Sequence, residues 1–401
     1  MTGLAVEPGV SVRAPIAFAD TYVDPMAIRA AVRVLESGWV TTGPETVKFE
    51  AEFASLVKAD HAVGVSSCTA AIELAIRAMQ LPARSRVLVS TLTFCGAAHA
   101  IVHAGHVPVL VDVDPTTGMP GERDVAAAVD ANGTPAAMLV VHLAGAAADV
   151  EGLARAAGLS LDRVVEDAAH ALGTSVGDRP IGAISRATCF SFYATKNLPI
   201  GEGGMVTTND AELAAAIRRM RLHGMSADAW RRYLPGGSWR YTVEEAGLKA
   251  NLTDLQSAIG RGQLCRLSAW QRRREDIAAT YADLLRDVPG LGLPETPAGT
   301  WHAWHLFIVR VTQAFGPGRD TVAEALAERG IGTSVHFIPL HSMPYFESFA
   351  TAPSYAGADE LFPQLLSLPI YPRLADADVQ RVCEALRELA GPASTPVTAR
   401  G

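Results

Sequence analysis

The sequence predicts an α/β protein in which a mostly parallel, seven-stranded sheet lies between helices and is followed by a smaller C-terminal α+β domain. Two patterns carry this expectation. From residue 61 to 208, short β-branched runs alternate with alanine-rich stretches of helical spacing, and the runs are apolar on both faces. Strands of that kind, linked by helices, form parallel sheets covered on two sides. Beyond the turn "PGLGLPETPAG" at 289–299 the alternation becomes sparser, which marks a second packing unit and a cleft between the two.

In chain order the strands are "HAVGVS", "RVLVS", "VPVLVDV", "AAMLVVHL", "DRVVED", "ATCFSFYA" and "GGMVTT". Between the first five lie the helical stretches "TAAIELAIRAM", "GAAHAIVHAG", "ERDVAAAVDA" and "DVEGLARAAG". A helix over 253–287, capped by Thr253, leads out of the large domain. The second unit reads as strand "WHLFIVRV", helix "RDTVAEALAERG", strand "GTSVHF" and closing helix "DADVQRVCEALREL". These readings divide the chain into an N-terminal arm over 1–20, a large domain over 21–265 and a small domain over 266–401.

Composition narrows the function. A net charge of −8 and a pI near 5.8 leave no basic stripe for nucleic acid. Five cysteines, scattered and without a CxxC pair, suit a reducing compartment. The N-terminus has no charged start followed by an apolar run, and no apolar span approaches the ~20 residues a bilayer needs, so a soluble, cytoplasmic protein without membrane contact is expected.

In parallel sheets ligands bind at the carboxyl ends of the strands, and three loops there carry distinct chemistry. In "VSSCTAAIEL" a helix begins near Cys68 and Thr69, where free N–H groups and hydroxyls suit a phosphate. In "DRVVEDAAHALG", Asp167 ends a buried strand and needs a partner, unless it caps a following helix; His170 follows within a turn. The third, "SFYATKNLPIGEGGMVTT", delivers Ser191 and then Lys196. Only four of the 34 basic side chains are lysines, so a lysine here is a choice. An amine can lose its proton and attack a carbonyl; a guanidinium cannot. Amine, anion site and carboxylate together are what pyridoxal 5'-phosphate requires. Phe94 lies at the same edge, as a stacking plane or as core. His99 and His103, one helical turn apart, lack a third metal ligand, so no metal is expected.

The motifs "SSCTAAIELA", "TLTFCGAAHAI", "VVEDAAHALG", "SFYATKNLPIGEGGMVTT", "GLKANLTDLQSAIG" and "GTSVHFIPLH" resemble, in this order, those of the DegT/DnrJ/EryC1/StrS sugar aminotransferases, which have the type I fold of pyridoxal phosphate enzymes. The resemblance implies that Lys196 forms the internal aldimine and shuttles a proton, that Asp167 pairs with the pyridinium, and that His170 sits near the ring hydroxyl. It implies stacking by Phe94 and phosphate binding by Ser191, Cys68 and Thr69. It also implies a homodimer with shared active sites, in which Asn251 reaches the phosphate of the other subunit. Cys68 stands where glycine is frequent, so the phosphate turn must do without a positive φ.

Similar 3-dehydrases carry histidine in place of this lysine, so "ATKN" favours transamination. The stretch from "RLHGM" to "LTDLQ" looks like the branch that aminates C4 of nucleotide-linked 4-keto-6-deoxyhexoses with L-glutamate, for an antibiotic or a surface glycan. Arg231 and Arg232 suit a diphosphate or form a solvated basic face, and Thr42 and His336 are further candidates on the substrate side. A 3-ketosugar or keto-cyclitol acceptor, and a pyridoxal phosphate module without turnover, are the alternatives.

Overall fold

The computed structural model describes residues 14–226, 240–352 and 354–390. Its main sheet contains β1 (His61–Val65), β2 (Arg86–Ser90), β3 (Val107–Val111), β4 (Ala137–Val141), β5 (Val164–Asp167), β6 (Ala187–Ser191) and β7 (Gly204–Thr208), in the spatial order β1-β7-β6-β5-β4-β2-β3. Pairs among β2 to β6 are parallel, whereas β7 runs antiparallel to both neighbours. The cause is the connection before β7. Residues 192–203 contain no helix, and a parallel return needs a crossover unit. The chain therefore reverses at the carboxyl edge of β6, and Lys196 sits in that reversal.

Both faces of the sheet are dry, as expected from the uninterrupted apolar runs. Val89, Leu139 and Val165 pack with Ile72, Ile76 and Ile101 of helices α3 (Cys68–Ala78) and α4 (Cys95–His103). Leu88, Met138, Val140 and Val164 turn the other way, towards Val125 and Leu153 of α5 (Glu122–Asn132) and α6 (Val150–Ala156). Each such side chain stabilises the fold by about 1.5–3 kcal/mol relative to an exposed one.

The helix expected over 253–287 is two helices, α8 (Asp254–Leu264) and α9 (Leu267–Leu285), numbered after α7 (Ala211–Met220) and separated at Cys265 and Arg266. Thr253 does cap the first, with Gln256 completing a capping box. The break lets the two halves serve different cores. α8 packs against α1 (Pro25–Ser37) and α2 (Pro44–Leu56), so closely that a Cβ on Gly262 would stand 2.4 Å from the Ala27 Cα. α9 instead sends Ile277, Ala278, Tyr281 and Leu285 into a second core. Arg266, at the joint, pairs with Asp24, the N-cap of α1.

That second core surrounds a three-stranded antiparallel sheet of β8 (Leu291–Gly292), β9 (Phe307–Val311) and β10 (Leu365–Leu368). It is closed by α10 (Arg319–Glu328) and, after α11 (Ala356–Leu361), by α12 (Asp376–Leu389). The expected strand "GTSVHF" is not a strand; only single bridges, Ile331 to Ile16 and Ser334 to Ser367, tie it down. The short run "LLSL" takes the place beside β9 instead. "WHLFIVRV" also starts its strand late, at Phe307, which frees His305 and Leu306 to line the cleft.

Candidate active site

A cavity of about 340 Å³ lies at the carboxyl ends of β1, β5 and β6, bounded on its far side by residues 305, 306, 336 and 337. Its floor is the start of α3. Ser67 caps that helix by accepting from the Ala70 N–H at 3.1 Å. The N–H groups of Cys68 and Thr69 have no intrahelical acceptor, and none elsewhere among the described residues. Cys68 needs no positive φ, because it is the first helical residue. β7 passes directly beneath this turn, where a Cβ on Gly204 would stand 2.5 Å from the Ser67 carbonyl. Only glycine allows that approach, and Ser191, the ladder partner of Gly204, thereby reaches the same cavity.

Glu166 and Asp167 end β5 with their side chains on opposite faces, and the contrast between them locates the chemistry. Glu166, fully buried, accepts from the Ser185 N–H and hydroxyl, from the Thr188 hydroxyl, and from His142 Nε2 at 2.9 Å. The Ala148 N–H donates to His142 Nδ1, which leaves the ring proton on Nε2 for Glu166. Burial pushes the Glu166 carboxyl up, but these donors outweigh it and hold it below the usual range. Asp167 lines the cavity, and both of its hydrogen bonds, from the Ala169 N–H at 3.0 Å and the Cys68 thiol at 3.7 Å, end on Oδ1. Burial raises its pKa, against the pull of the Ala169 N–H and Lys196. No helix follows Asp167 directly, so it caps none; residues 168–174 are turns and irregular backbone. Oδ2 is left for a donor in the cavity.

Lys196 is partly buried in the same cavity, with one hydrogen-bonding partner, His305 Nε2 at 3.4 Å. Burial brings its amine down to about 8, while Asp167 and Cys68 work the other way. His170 takes the Ala144 N–H on Nδ1 at 3.2 Å, so its neutral ring carries the proton on Nε2; burial keeps it neutral. Phe94 is not core. It is 59% exposed, lines the cavity, and lies 6.1 Å from Phe337, which in turn stacks near His170 at 5.9 Å. His336 also lines the cavity, held by Ser367 Oγ at 2.8 Å and stacked on Phe18, and burial lowers its pKa to about 4.

Thr42 and Asn251 lie together outside the cavity of their own chain. The Asn251 amide donates to the Thr42 hydroxyl at 2.7 Å, and that hydroxyl donates to Leu252 O at 2.5 Å. Arg231 and Arg232 lie outside the described residues. Sequence reasoning missed His305, Asn197, Phe337 and Arg274. The last is a buried guanidinium on the cavity wall whose two acceptors, Trp304 O and Ile370 O, both bind Nη1; no carboxylate pairs with it among the described residues. The density of histidine and tryptophan in "WHAWHL" was the signal available for His305.

The sequence pattern of the DegT/DnrJ/EryC1/StrS aminotransferase family matches residues 22–387. The chain belongs to this family. SpsC, a spore coat polysaccharide biosynthesis protein of Bacillus subtilis, is 45% identical over 369 residues, 90% of this chain and 94% of that protein. Among solved structures, the aminotransferase TlmJ of Streptoalloteichus hindustanus is similar with a TM-score of 0.84 and 31% identity, covering 94% of this chain and 99% of that one. The putative sugar aminotransferase Spr1654 of Streptococcus pneumoniae, in its PLP form, is similar with a TM-score of 0.84 and 27% identity over 94% of this chain and 98% of that one. As a member of the DegT/DnrJ/EryC1/StrS family, this chain is a pyridoxal phosphate-dependent sugar aminotransferase with the type I fold. Its own residues fit the cofactor: a helix start with unclaimed N–H groups, a buried carboxylate with one oxygen open, and a lone amine share one cavity.

Proposed function

We propose that the enzyme moves the amino group of L-glutamate to the C4 ketone of a nucleotide-linked 4-keto-6-deoxyhexose, for an antibiotic or a surface glycan. The observation that carries the transamination is the Lys196 amine, brought down to about 8 and sharing a cavity with Asp167 and the α3 anion turn. The cofactor, when bound, supplies an aldehyde that bonds to amines and a ring that accepts electrons from the substrate carbon. Cys68 and Thr69 hold its phosphate through their N–H groups, and Ser191 through its hydroxyl. Phe94 covers one ring face. Asp167 Oδ2 holds a proton at the ring nitrogen, and His170 Nε2–H donates to the ring hydroxyl. Lys196 Nζ would take the proton from the α-carbon of the amino donor and deliver it to the cofactor's aldehyde carbon, two atoms along.

Two further observations support the substrates and the assembly. Arg274 offers a guanidinium without a carboxylate partner among the described residues, which suits the carboxylate of an amino-acid donor. The apolar side chains Ile28, Val32 and Leu35 are exposed along one stripe of α1, which suits burial against a second copy. In that homodimer Asn251 of the partner subunit reaches the phosphate, and Thr42 fixes the asparagine that each copy presents. His336 and Arg232 serve the sugar nucleotide. The polysaccharide role in the name of SpsC accords with a sugar acceptor. The five cysteines are all free, which accords with a reducing cytoplasm, and among the described residues no helix is long and apolar enough to cross a membrane.

The test is a competition of acceptors. With L-glutamate as donor, release of 2-oxoglutarate is expected to be at least about tenfold more efficient in kcat/KM with a nucleoside-diphosphate 4-keto-6-deoxyhexose than with a 3-ketosugar or a keto-cyclitol. A preference for either alternative, or no 2-oxoglutarate with any of the three, refutes the assignment.

A further inference from the structure

The loop before β9 is tied to the lysine loop by a network that no step above uses. Asn197, buried beside Lys196, donates its side-chain N–H to Ala303 O at 2.8 Å. A carbonyl can only accept, so this bond fixes the amide and leaves Asn197 Oδ1 as an acceptor. His305 Nδ1 lies 3.2 Å from that oxygen and must carry the ring proton. Its Nε2 therefore presents a lone pair, 3.4 Å from Lys196 Nζ.

Backbone geometry maintains this arrangement at some cost. Ala144 and Trp304 are non-glycine residues with positive φ, 59° and 46°, each unfavourable by about 1–3 kcal/mol. Around them the loops are laced together, Ala303 N–H to Gly145 O and Leu306 N–H to Ala144 O, both at 3.1 Å. The lacing sets the His170 and His305 rings 4.4 Å apart. His305 is faced by Lys196, His170, Arg274 and His336, and Lys196 by Asp167 and Cys68 as well. Burial first, then the charge of Lys196 when protonated and of Arg274, keep His305 neutral, so its Nε2 stays an acceptor.

We propose that His305, locked by Asn197 as its Nδ1–H form, is a positioning residue that accepts a hydrogen bond from the free Lys196 amine and so turns the amine lone pair towards the substrate carbon. This rests on Lys196 being the reactive amine. A primary amine with one N–H fixed has its staggered orientations cut from three to two, and in both the lone pair lies off the His305 side.

Two measurements test it. In the full-length chain labelled with ¹⁵N-histidine, His305 is expected to report a protonated Nδ1 and an unprotonated Nε2 between pH 6 and 9, and Lys196→Ala is expected to shift the Nε2 signal. An Nε2–H form, or an Nε2 signal indifferent to Lys196→Ala, overturns the proposal. The second compares His305→Phe, which keeps the ring volume, with His305→Gln, whose amide oxygen can accept. Competitive amine labelling with peptide mapping should place the Lys196 titration near 8 in the wild type, lower in His305→Phe and restored in His305→Gln. After cofactor loading, kcat should fall at least about tenfold in His305→Phe at unchanged donor KM, and recover in His305→Gln. Equal losses in both variants, or none in either, overturn it. Should Lys196→Ala itself retain activity, the failure lies in the assignment of the amine rather than in His305.

Discussion

Lys196→Ala is expected to remove transaminase activity by a factor of about 10⁴ or more and to abolish the visible band that the cofactor gives when bonded to a lysine. Two losses combine. In this reading the amine that captures the cofactor disappears, and with it the base proposed to move a proton at the substrate carbon. Lys196→Arg should fare no better, since a guanidinium stays protonated where an amine brought down to about 8 does not. The fold should survive, because Lys196 makes a single side-chain contact of hydrogen-bond type. Absorption spectra and single-turnover mixing with L-glutamate check both outcomes. A variant that keeps the band and turns over would remove the basis of the mechanism.

The second large effect is expected at Asp167. Asp167→Asn preserves volume and can still accept from the Ala169 N–H, but it cannot hold a proton at the cofactor nitrogen by charge. We expect kcat to fall about 10²- to 10³-fold with a smaller loss of cofactor affinity. Glu166→Gln, one residue away, is the control. Glu166 faces His142, Ser185 and Thr188 inside the protein, so its replacement should lower stability by about 3–5 kcal/mol through the unpaired partners, without a comparable loss of kcat in the folded fraction. Thermal melts and kcat on the soluble enzyme separate the two. Equal kinetic penalties at 166 and 167 would show that the two carboxylates had not been told apart.

Much of this was legible in the sequence because the large domain is built from local signals. Seven apolar runs became seven strands, and each loop at their carboxyl ends kept its chemistry beside the strand that delivers it. Cys68, Thr69, Asp167, His170, Ser191 and Lys196 all reach one cavity for that reason. What sequence reading missed comes from long-range packing. His305 and Phe337 arrive from loops before β9 and after α10, over a hundred residues downstream of Lys196, and no local pattern says which wall they line. The break between α8 and α9 was hidden because "GQLCRLSAW" keeps helical spacing across it; only the demand of two cores for two helix directions ends α8 at Leu264. "GTSVHF" has the β-branched look of a strand, yet it meets the open edge of β10 at one bridge only, Ser334 to Ser367.

One amine, at position 196, is proposed to bond to the cofactor. Reducing the loaded enzyme with borohydride and mapping its peptides tests this most directly. A single reduced adduct is expected, on the peptide containing Lys196. An adduct on Lys48, Lys58 or Lys249, or no adduct on any peptide, would contradict it.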